Sequence, residues 1–241
     1  MRKNQNINKV NFFFLILFLF LNSLLSLKSF KKVDFQDIKI YGSEFLSKKD
    51  IVKNAPFQFS TRLIFINTRI IEKELKKNLS LANVSVNRQL LPFGLRVQVK
   101  TRIPVAYGEK IFKGEKISGF IDEEGVFINK KYADRDNLEP ITIKVYGWQE
   151  NFRKTISSIL IFQKNKELDL LSISFSKNGF LTLEEKDLKT IILGFNTNLI
   201  NSQLQIIHNL KVELKKNKIS DKIDNIDLSD PNNPKIKVFK P

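Results

Sequence analysis

The sequence predicts an α+β protein that begins with an N-terminal transmembrane helix. A small domain with the order strand-helix-helix-strand-strand follows, and then a β-rich C-terminal domain with two helices. Three observations predict this: a long apolar run near the N-terminus, alternating apolar and polar residues within residues 79–107, and a helical apolar stripe just before them. A chain of 241 residues has room for one to three domains.

Residues 79–107 carry the clearest pattern in the chain. Apolar side chains occupy every second position in two runs: Ala82, Val84 and Val86, then Leu95, Val97 and Val99. This period places each apolar set on one face of a strand. Residues 89–94 contain a proline and a glycine and predict the connecting turn. A lone hairpin is marginally stable, so another element must cover its apolar face.

The residues before the hairpin predict that cover. Ile71, Leu75 and Leu79 fall on one stripe of a helix that Asn67 can cap, and Glu72 and Lys76 stand at a spacing that favours an ion pair.

A shorter helix is predicted at residues 48–54. Ser47 serves as its N-cap and Asp50 lies in its first turn. A strand at residues 33–41 precedes it and completes the first domain.

The N-terminal apolar run predicts a membrane anchor. A helix over residues 10–30 would reach about 31 Å, enough to cross a bilayer core. A cleaved signal peptide is the alternative, but no small-x-small cleavage site follows the run, which favours an uncleaved anchor. Three basic residues lie on each side, so charge does not fix the orientation. The short tail at residues 1–9 is expected in the cytoplasm and the bulk of the chain outside.

The second half alternates strands and helices. A hairpin is expected at residues 119–128, a helix over residues 152–163, and a second hairpin around Asn178-Gly179. A strand at residues 189–194, a helix over residues 200–214 and strands at residues 222–228 and 235–239 complete the prediction. Asp122, Glu123 and Glu124 stand together on the first turn, and adjacent acids on a turn are predicted to be solvated rather than metal-binding.

The formal net charge of +16 suggests two classes of partner. A nucleic-acid binder is one interpretation, but the lysines are spread along the chain without a compact basic block, which argues against nucleic acid. Such a charge also favours anionic lipid surfaces. The sequence has no cysteine, which excludes disulfides and thiolate metal sites.

The residue types that catalysis needs are sparse. His208 is the single histidine and sits among apolar residues of a predicted helix. The chain has neither a glycine-rich phosphate loop nor a nucleophile elbow. Tyr146 and Trp148 could line a binding surface, although a core anchor is the favoured interpretation. We therefore expect no catalytic, metal or cofactor-binding residues, no cofactor and no small-molecule substrate.

The first domain resembles a POTRA domain. The residues that carry the resemblance are Ile38, Ile40 and Gly42, then Val84, Val86 and Arg88, then Leu95, Val97 and Val99, and finally Arg102, Pro104, Val105 and Ala106. One such domain at residues 33–107, after one membrane span, resembles the layout of the FtsQ/DivIB family of bacterial division proteins. Residues 108–241 are similar to that family's β domain, at Asp122 and Gly125, at Leu193-Gly194 and at Ile226-Asp227-Leu228. Thr101 and Ser229 depart from the family pattern, and Ser229 replaces a basic side chain.

The resemblance implies a non-enzymatic scaffold of the divisome. Such a protein is a single-pass protein of the inner membrane, acts at the division septum, and binds small bitopic proteins of the FtsB and FtsL kind. A POTRA protein of envelope transport or assembly is the alternative, and a membrane-tethered nucleic-acid binder is a weaker one.

The last strand is the predicted partner-binding edge. It should pair back on residues 222–228 and have no later strand on its outer side. The predicted partner-binding residues are Ile226, Leu228, Ile236, Lys237, Val238 and Phe239. A plain closing strand is the alternative for the same residues.

Overall fold

A computed structural model describes residues 3–55, 61–133, 140–166, 168–217 and 223–238. The chain divides into two compact units, residues 1–101 and residues 102–241. Residues 104–107, which the sequence prediction assigned to the first domain, lie in a strand of the second unit.

Over the part that the structure describes, the first unit is a long helix followed by a three-stranded sheet with two α-helices. Its elements are α1 (Lys3–Ser29), β1 (Ile38–Tyr41), α2 (Lys48–Asn54), α3 (Thr68–Asn78), β2 (Asn83–Leu90) and β3 (Phe93–Lys100). The sheet order is β1-β3-β2, with β1 parallel and β2 antiparallel to the central β3. This is the predicted strand-helix-helix-strand-strand order.

The apolar face of the hairpin is the core of this unit. Val86 faces Val97 across the strand pair, and both side chains are buried. The predicted stripe of α3 is buried as well, at Ile71, Leu75 and Leu79. The helix starts are also as predicted, because the side chains of Ser47 and Asn67 accept hydrogen bonds from backbone N–H groups of α2 and α3.

The hairpin turn is shorter than predicted. The strands continue to Leu90 and Phe93, which leaves only Leu91 and Pro92 between them. Gly94 is a strand residue of β3 rather than a loop residue. A Cβ at this position would lie 2.0 Å from the carbonyl oxygen of Asp37. Glycine at this position permits close approach of two backbones. In the sequence, the same glycine beside a proline is indistinguishable from a turn signal.

One further detail of this unit differs from expectation. The predicted strand at residues 33–41 forms only over β1, because Phe35–Asp37 makes a 3-10 turn. The carboxylate of Glu72 accepts a hydrogen bond from Val86 N at 2.7 Å. This side chain therefore satisfies a backbone donor of the edge strand β2.

In its described residues, the second unit is built on one nine-stranded sheet with two α-helices. Its strands are β4 (Pro104–Phe112), β5 (Glu115–Asp122), β6 (Phe127–Asn129), β7 (Lys144–Tyr146), β8 (Leu170–Phe175), β9 (Leu181–Glu185), β10 (Lys189–Gly194), β11 (Ile223–Asp227) and β12 (Lys235–Val238). The helices are α4 (Arg153–Lys166) and α5 (Ile200–Asn217). The strand order is β12-β11-β10-β9-β8-β7-β4-β5-β6.

One continuous core joins both helices to the sheet. It includes Ile156 and Ile159 of α4, and Leu204 and Ile207 of α5, together with inward residues of the strands. The predicted apolar stripes of both helices are therefore confirmed. Strand β11 runs parallel to β10, with α5 as the crossover between them, and β12 then returns antiparallel on β11.

Candidate functional site

Strand β12 is an edge of the nine-stranded sheet. It pairs with β11 on one side, and no strand among the described residues pairs with its other side. An edge strand presents backbone N–H and C=O groups that a further strand can use. All four of its residues are exposed, including Ile236 at 43% and Val238 at 50%. The edge thus combines open backbone groups with apolar side chains.

The predicted partner-binding residues fall into two groups. Ile226 and Leu228 are fully buried, so their side chains are part of the core and are not available to a partner. Ile236, Lys237 and Val238 are exposed on β12. Phe239 lies outside the described residues.

The other end of the sheet differs from β12. Strand β6 has three residues, two of them buried, and passes directly into a 3-10 turn at Lys130–Tyr132. Its side chains are mostly buried, whereas all four residues of β12 are exposed. Of the two edges, β12 is the one suited to accept a strand.

The turn between β11 and β12 is fixed by local hydrogen bonds. Ser229 N donates to Asp227 Oδ1 at 2.9 Å, and Asn232 N donates to Asp230 Oδ1 at 3.0 Å. The backbone and hydroxyl hydrogen bonds from Ser229, together with the charge of Lys235, hold the pKa of Asp227 below its ordinary value. The carboxylate is therefore charged at neutral pH and keeps the turn in place.

Gln203 of α5 supports the strands behind the edge. This buried side chain donates to the carbonyl oxygens of Leu193 and Leu228, both at 2.8 Å. Those carbonyls lie at the ends of β10 and β11, so one amide group ties the helix to both strands. The sequence offered a signal for this role, since a glutamine stands next to Leu204 on the apolar stripe.

A buried lysine, Lys211, ties the C-terminal half of α5 to three acids. Lys211 Nζ lies 2.6 Å from Glu185 Oε1, 2.9 Å from Asp169 Oδ2 and 3.6 Å from Asp187 Oδ2. The three acids are close enough to one another to hold a metal ion, but the ammonium group of Lys211 lies among them. Burial alone would lower the pKa of Lys211, but the hydrogen bonds to Glu185 and Asp169 outweigh it and raise the pKa. The cluster is thus an internal ion-pair network.

The acids on the β5–β6 turn are not simply solvated, so that expectation is wrong. Asp122 is buried and forms an ion pair with the equally buried side chain of Arg102. Glu124 binds Arg102 at 3.0 Å and Arg153 at 3.1 Å. Hydrogen bonds to these two acids outweigh burial and raise the pKa of Arg102. Sequence pattern missed this network because Arg102 and Asp122 are brought together by the pairing of β4 with β5.

Trp148 anchors the core rather than forming a binding surface. Its Nε1 donates to Gly125 O at 2.9 Å, and its ring packs against Phe127 with centroids 5.4 Å apart. Lys110 Nζ lies 4.2 Å from the centroid of Phe127, and burial lowers the pKa of this lysine. Tyr146 is partly exposed, at 37%.

Comparison with protein families identifies the first unit. The family model for the POTRA domain, FtsQ-type, matches residues 33–102. No curated protein matches the chain. The chain therefore carries an FtsQ-type POTRA domain behind an apolar N-terminal helix, an arrangement consistent with the FtsQ/DivIB family.

Proposed function

We propose, from the FtsQ-type POTRA domain that residues 33–102 form, that this protein is a non-enzymatic scaffold of the bacterial divisome. It would be anchored in the inner membrane by α1, act at the division septum, and bind small bitopic proteins of the FtsB and FtsL kind. The single observation that carries the binding role is the open edge of β12 at the end of the nine-stranded sheet.

The properties of α1 support the membrane anchor. Its segment Phe12–Ser29 is long and apolar enough to cross a membrane, and 0% of it is buried within the protein. An unpaired apolar helix of this kind is stable in a bilayer and not in water. In the proposed orientation the N-terminus lies in the cytoplasm, and both units lie on the periplasmic side.

Strand addition is the binding mode that β12 supports. A partner strand would hydrogen-bond to the outer backbone groups, and Ile236 and Val238 would contribute apolar contacts. The lysines of β12 discourage unspecific pairing, because a second chain must match their charge. Bitopic partners would be held in the same membrane as α1, which raises their effective concentration at this edge.

Val238→Asp tests the edge, with Val212→Asp as its matched control. Val238 is 50% exposed on β12, and Val212 is 52% exposed on α5, so both substitutions place a carboxylate on the surface of the same unit. We expect Val238→Asp to reduce co-purification of small bitopic proteins from dividing cells by roughly tenfold or more, as loss of an interface anchor does. Val212→Asp should retain them.

Two further results bear on the edge. Two other variants, one that lacks residues 235–241 and one with Phe239→Ala, should also fail to co-purify these partners. The circular dichroism spectrum of each variant must first be shown to be unchanged. Folded variants that hold the partners as tightly as the wild type would show that β12 is not the docking site.

The anchor is tested by its retention and its topology. N-terminal sequencing of membrane-extracted protein should begin at or near Met1, and protease added outside spheroplasts should digest the chain after Lys32. A mature chain that starts between Leu24 and Lys32 would contradict the anchor and favour a cleaved signal peptide.

A further inference from the structure

We infer that the first unit docks on the surface of a membrane that contains anionic phospholipids, through a face beside the end of α1. We call it the juxtamembrane face, and it consists of residues 61–65, residues 88–93 and Lys28, Phe30, Lys31 and Lys32. The inference rests on the proposed membrane anchor and goes beyond it, because an anchor alone leaves the following domain free of the bilayer.

Backbone hydrogen bonds fix this face close to the membrane span. Leu63 N donates to Lys31 O at 3.0 Å, and Val33 N donates to Thr61 O at 3.0 Å. Helix α1 ends at Ser29, only two residues before Lys31, a reach of about 7 Å. Residues 61–63 are therefore held at the level where the chain leaves the bilayer.

The hairpin turn of β2 and β3 lies at the same level. Arg88 Nη1 donates to Ile64 O at 2.9 Å, which joins the hairpin to residues 61–65. Lys31 Nζ lies 4.8 Å from the ring centroid of Phe93, at the start of β3. Helix α1 and strand β2 are also in contact. Two separate segments of the domain thus converge on the end of α1.

Large apolar side chains are exposed on this face. Leu91 is 69% exposed at the hairpin turn, and Phe65 is 66% exposed in the 3-10 turn Leu63–Phe65. Ile64 and Phe30 add exposures of 42% and 47%. Apolar side chains in such positions are costly in water and enter the boundary between headgroups and acyl chains.

The same segments carry exposed cationic side chains. The exposed cations of the three segments and the adjoining start of α3 are Lys28, Lys31, Lys32, Arg62, Arg69 and Arg88. Residues 28–33, 61–69 and 88–93 contain no acid at all. The acids nearest to these segments in sequence are Asp34 and Glu72. Asp34 N donates a hydrogen bond to Asp37 Oδ2 at 2.9 Å, and the carboxylate of Glu72 accepts one from Val86 N at 2.7 Å. Basic residues next to a membrane span attract anionic lipids, so charge and position indicate the same occupant.

The test uses single cysteines, because the sequence has none of its own. Full-length Phe65→Cys and Leu91→Cys carry a bimane label and are reconstituted into vesicles of phosphatidylcholine, alone or with phosphatidylglycerol. Nitroxide groups on the lipid then quench labels at the membrane surface. Asn83→Cys is the matched control, because Asn83 is exposed at the far end of β2, seven residues and about 23 Å from Leu90.

We expect the labels at positions 65 and 91 to be quenched at least roughly twice as strongly as the label at 83, and more strongly with phosphatidylglycerol. Lys32→Glu combined with Arg62→Glu should reduce that quenching. The control variant combines Lys39→Glu with Lys77→Glu, which changes the net charge by the same amount at other exposed residues of the unit. This variant should leave the quenching at positions 65 and 91 unchanged.

Failure of the docking inference and failure of the proposed membrane anchor give different results. If the chain resists carbonate extraction but positions 65, 83 and 91 are quenched alike, the docking inference is overturned and the anchor stands. If carbonate extracts the chain from the vesicles, the anchor is overturned, and the docking inference with it.

Discussion

Lys211 Nζ lies 2.6 Å from Glu185 Oε1, and this contact joins α5 to the end of β9 in the interior of the second unit. Glu185 is fully buried, and its other oxygen accepts hydrogen bonds from the backbone of Asp187 and Leu188. Every polar atom of this contact thus has a partner. A buried ion pair with full hydrogen bonding tolerates the loss of both partners better than the loss of one.

Removing one partner of this pair should destabilise the second unit strongly. Lys211→Met leaves the carboxylate of Glu185 buried without its cation, and we expect a loss of about 3–5 kcal/mol in the free energy of unfolding. Urea denaturation of the detergent-solubilised protein measures it. The double variant with Glu185→Gln should lose less than the sum of the two single losses, and strict additivity would show that the pair is not coupled.

The same lysine predicts a stability limit in alkali. The folded pKa of Lys211 is raised above the ordinary value of 10.5, so its stabilisation is fully present below 10.5 and is lost as pH rises through the folded pKa. The difference in unfolding free energy between wild type and Lys211→Met should be constant from neutral pH to about 10 and shrink above that. A difference that shrinks instead as pH falls toward neutral would contradict the sign of this shift.

Gln203 should matter far more than its neighbour Gln205. Gln203→Ala leaves the carbonyl oxygens of Leu193 and Leu228 without their side-chain donor, at a cost of about 1–3 kcal/mol. Gln205 is exposed on the same helix, so Gln205→Ala should cost less than about 0.5 kcal/mol. Thermal unfolding compares the two variants. Equal shifts in melting temperature would mean that Gln203 does not support the ends of β10 and β11.

A carboxylate should destabilise the protein far more on the buried face of β3 than on its other face. Val97 is 1% exposed, so Val97→Asp buries an unpaired charge and should cost several kcal/mol, about the whole stability of a small domain. Arg96 is the adjacent residue, and its guanidinium lies over the ring of Tyr41 at 4.6 Å. Arg96→Asp loses only that contact, about 0.5–1 kcal/mol. Hydrogen exchange of the β2 and β3 amides measures the destabilisation that each substitution causes. Equal loss of protection in the two variants would mean that the strand register is wrong.

Most elements of the fold follow from local patterns. Alternation in residues 79–107 determined which faces of β2 and β3 are buried, and the spacing of Ile71, Leu75 and Leu79 determined the buried side of α3. The capping residues Ser47 and Asn67 determined where two helices begin. These features depend on neighbours within a few residues, and such interactions are written directly in the order of the amino acids.

The candidate edge was partly predictable for the same reason. The return of β12 on β11 follows from a short turn and two alternating runs, and the turn bonds of Asp227 and Asp230 span only two residues. The assignment of Ile226 and Leu228 to the partner surface did not hold for their side chains, because the packing of α5 on β11 buries both.

The sequence by itself determined the anchor-like helix, the FtsQ-type POTRA order and the alternation of strands and helices in the second half. The tertiary structure alone decided that β11 runs parallel to β10, that Lys211 meets Glu185 across 26 positions, and that Arg102 meets Asp122 across 20. A lysine or an acid looks the same in sequence whether it is solvated or paired. Which of the two occurs depends on strand pairing and helix packing, because these bring distant residues together and exclude water from between them.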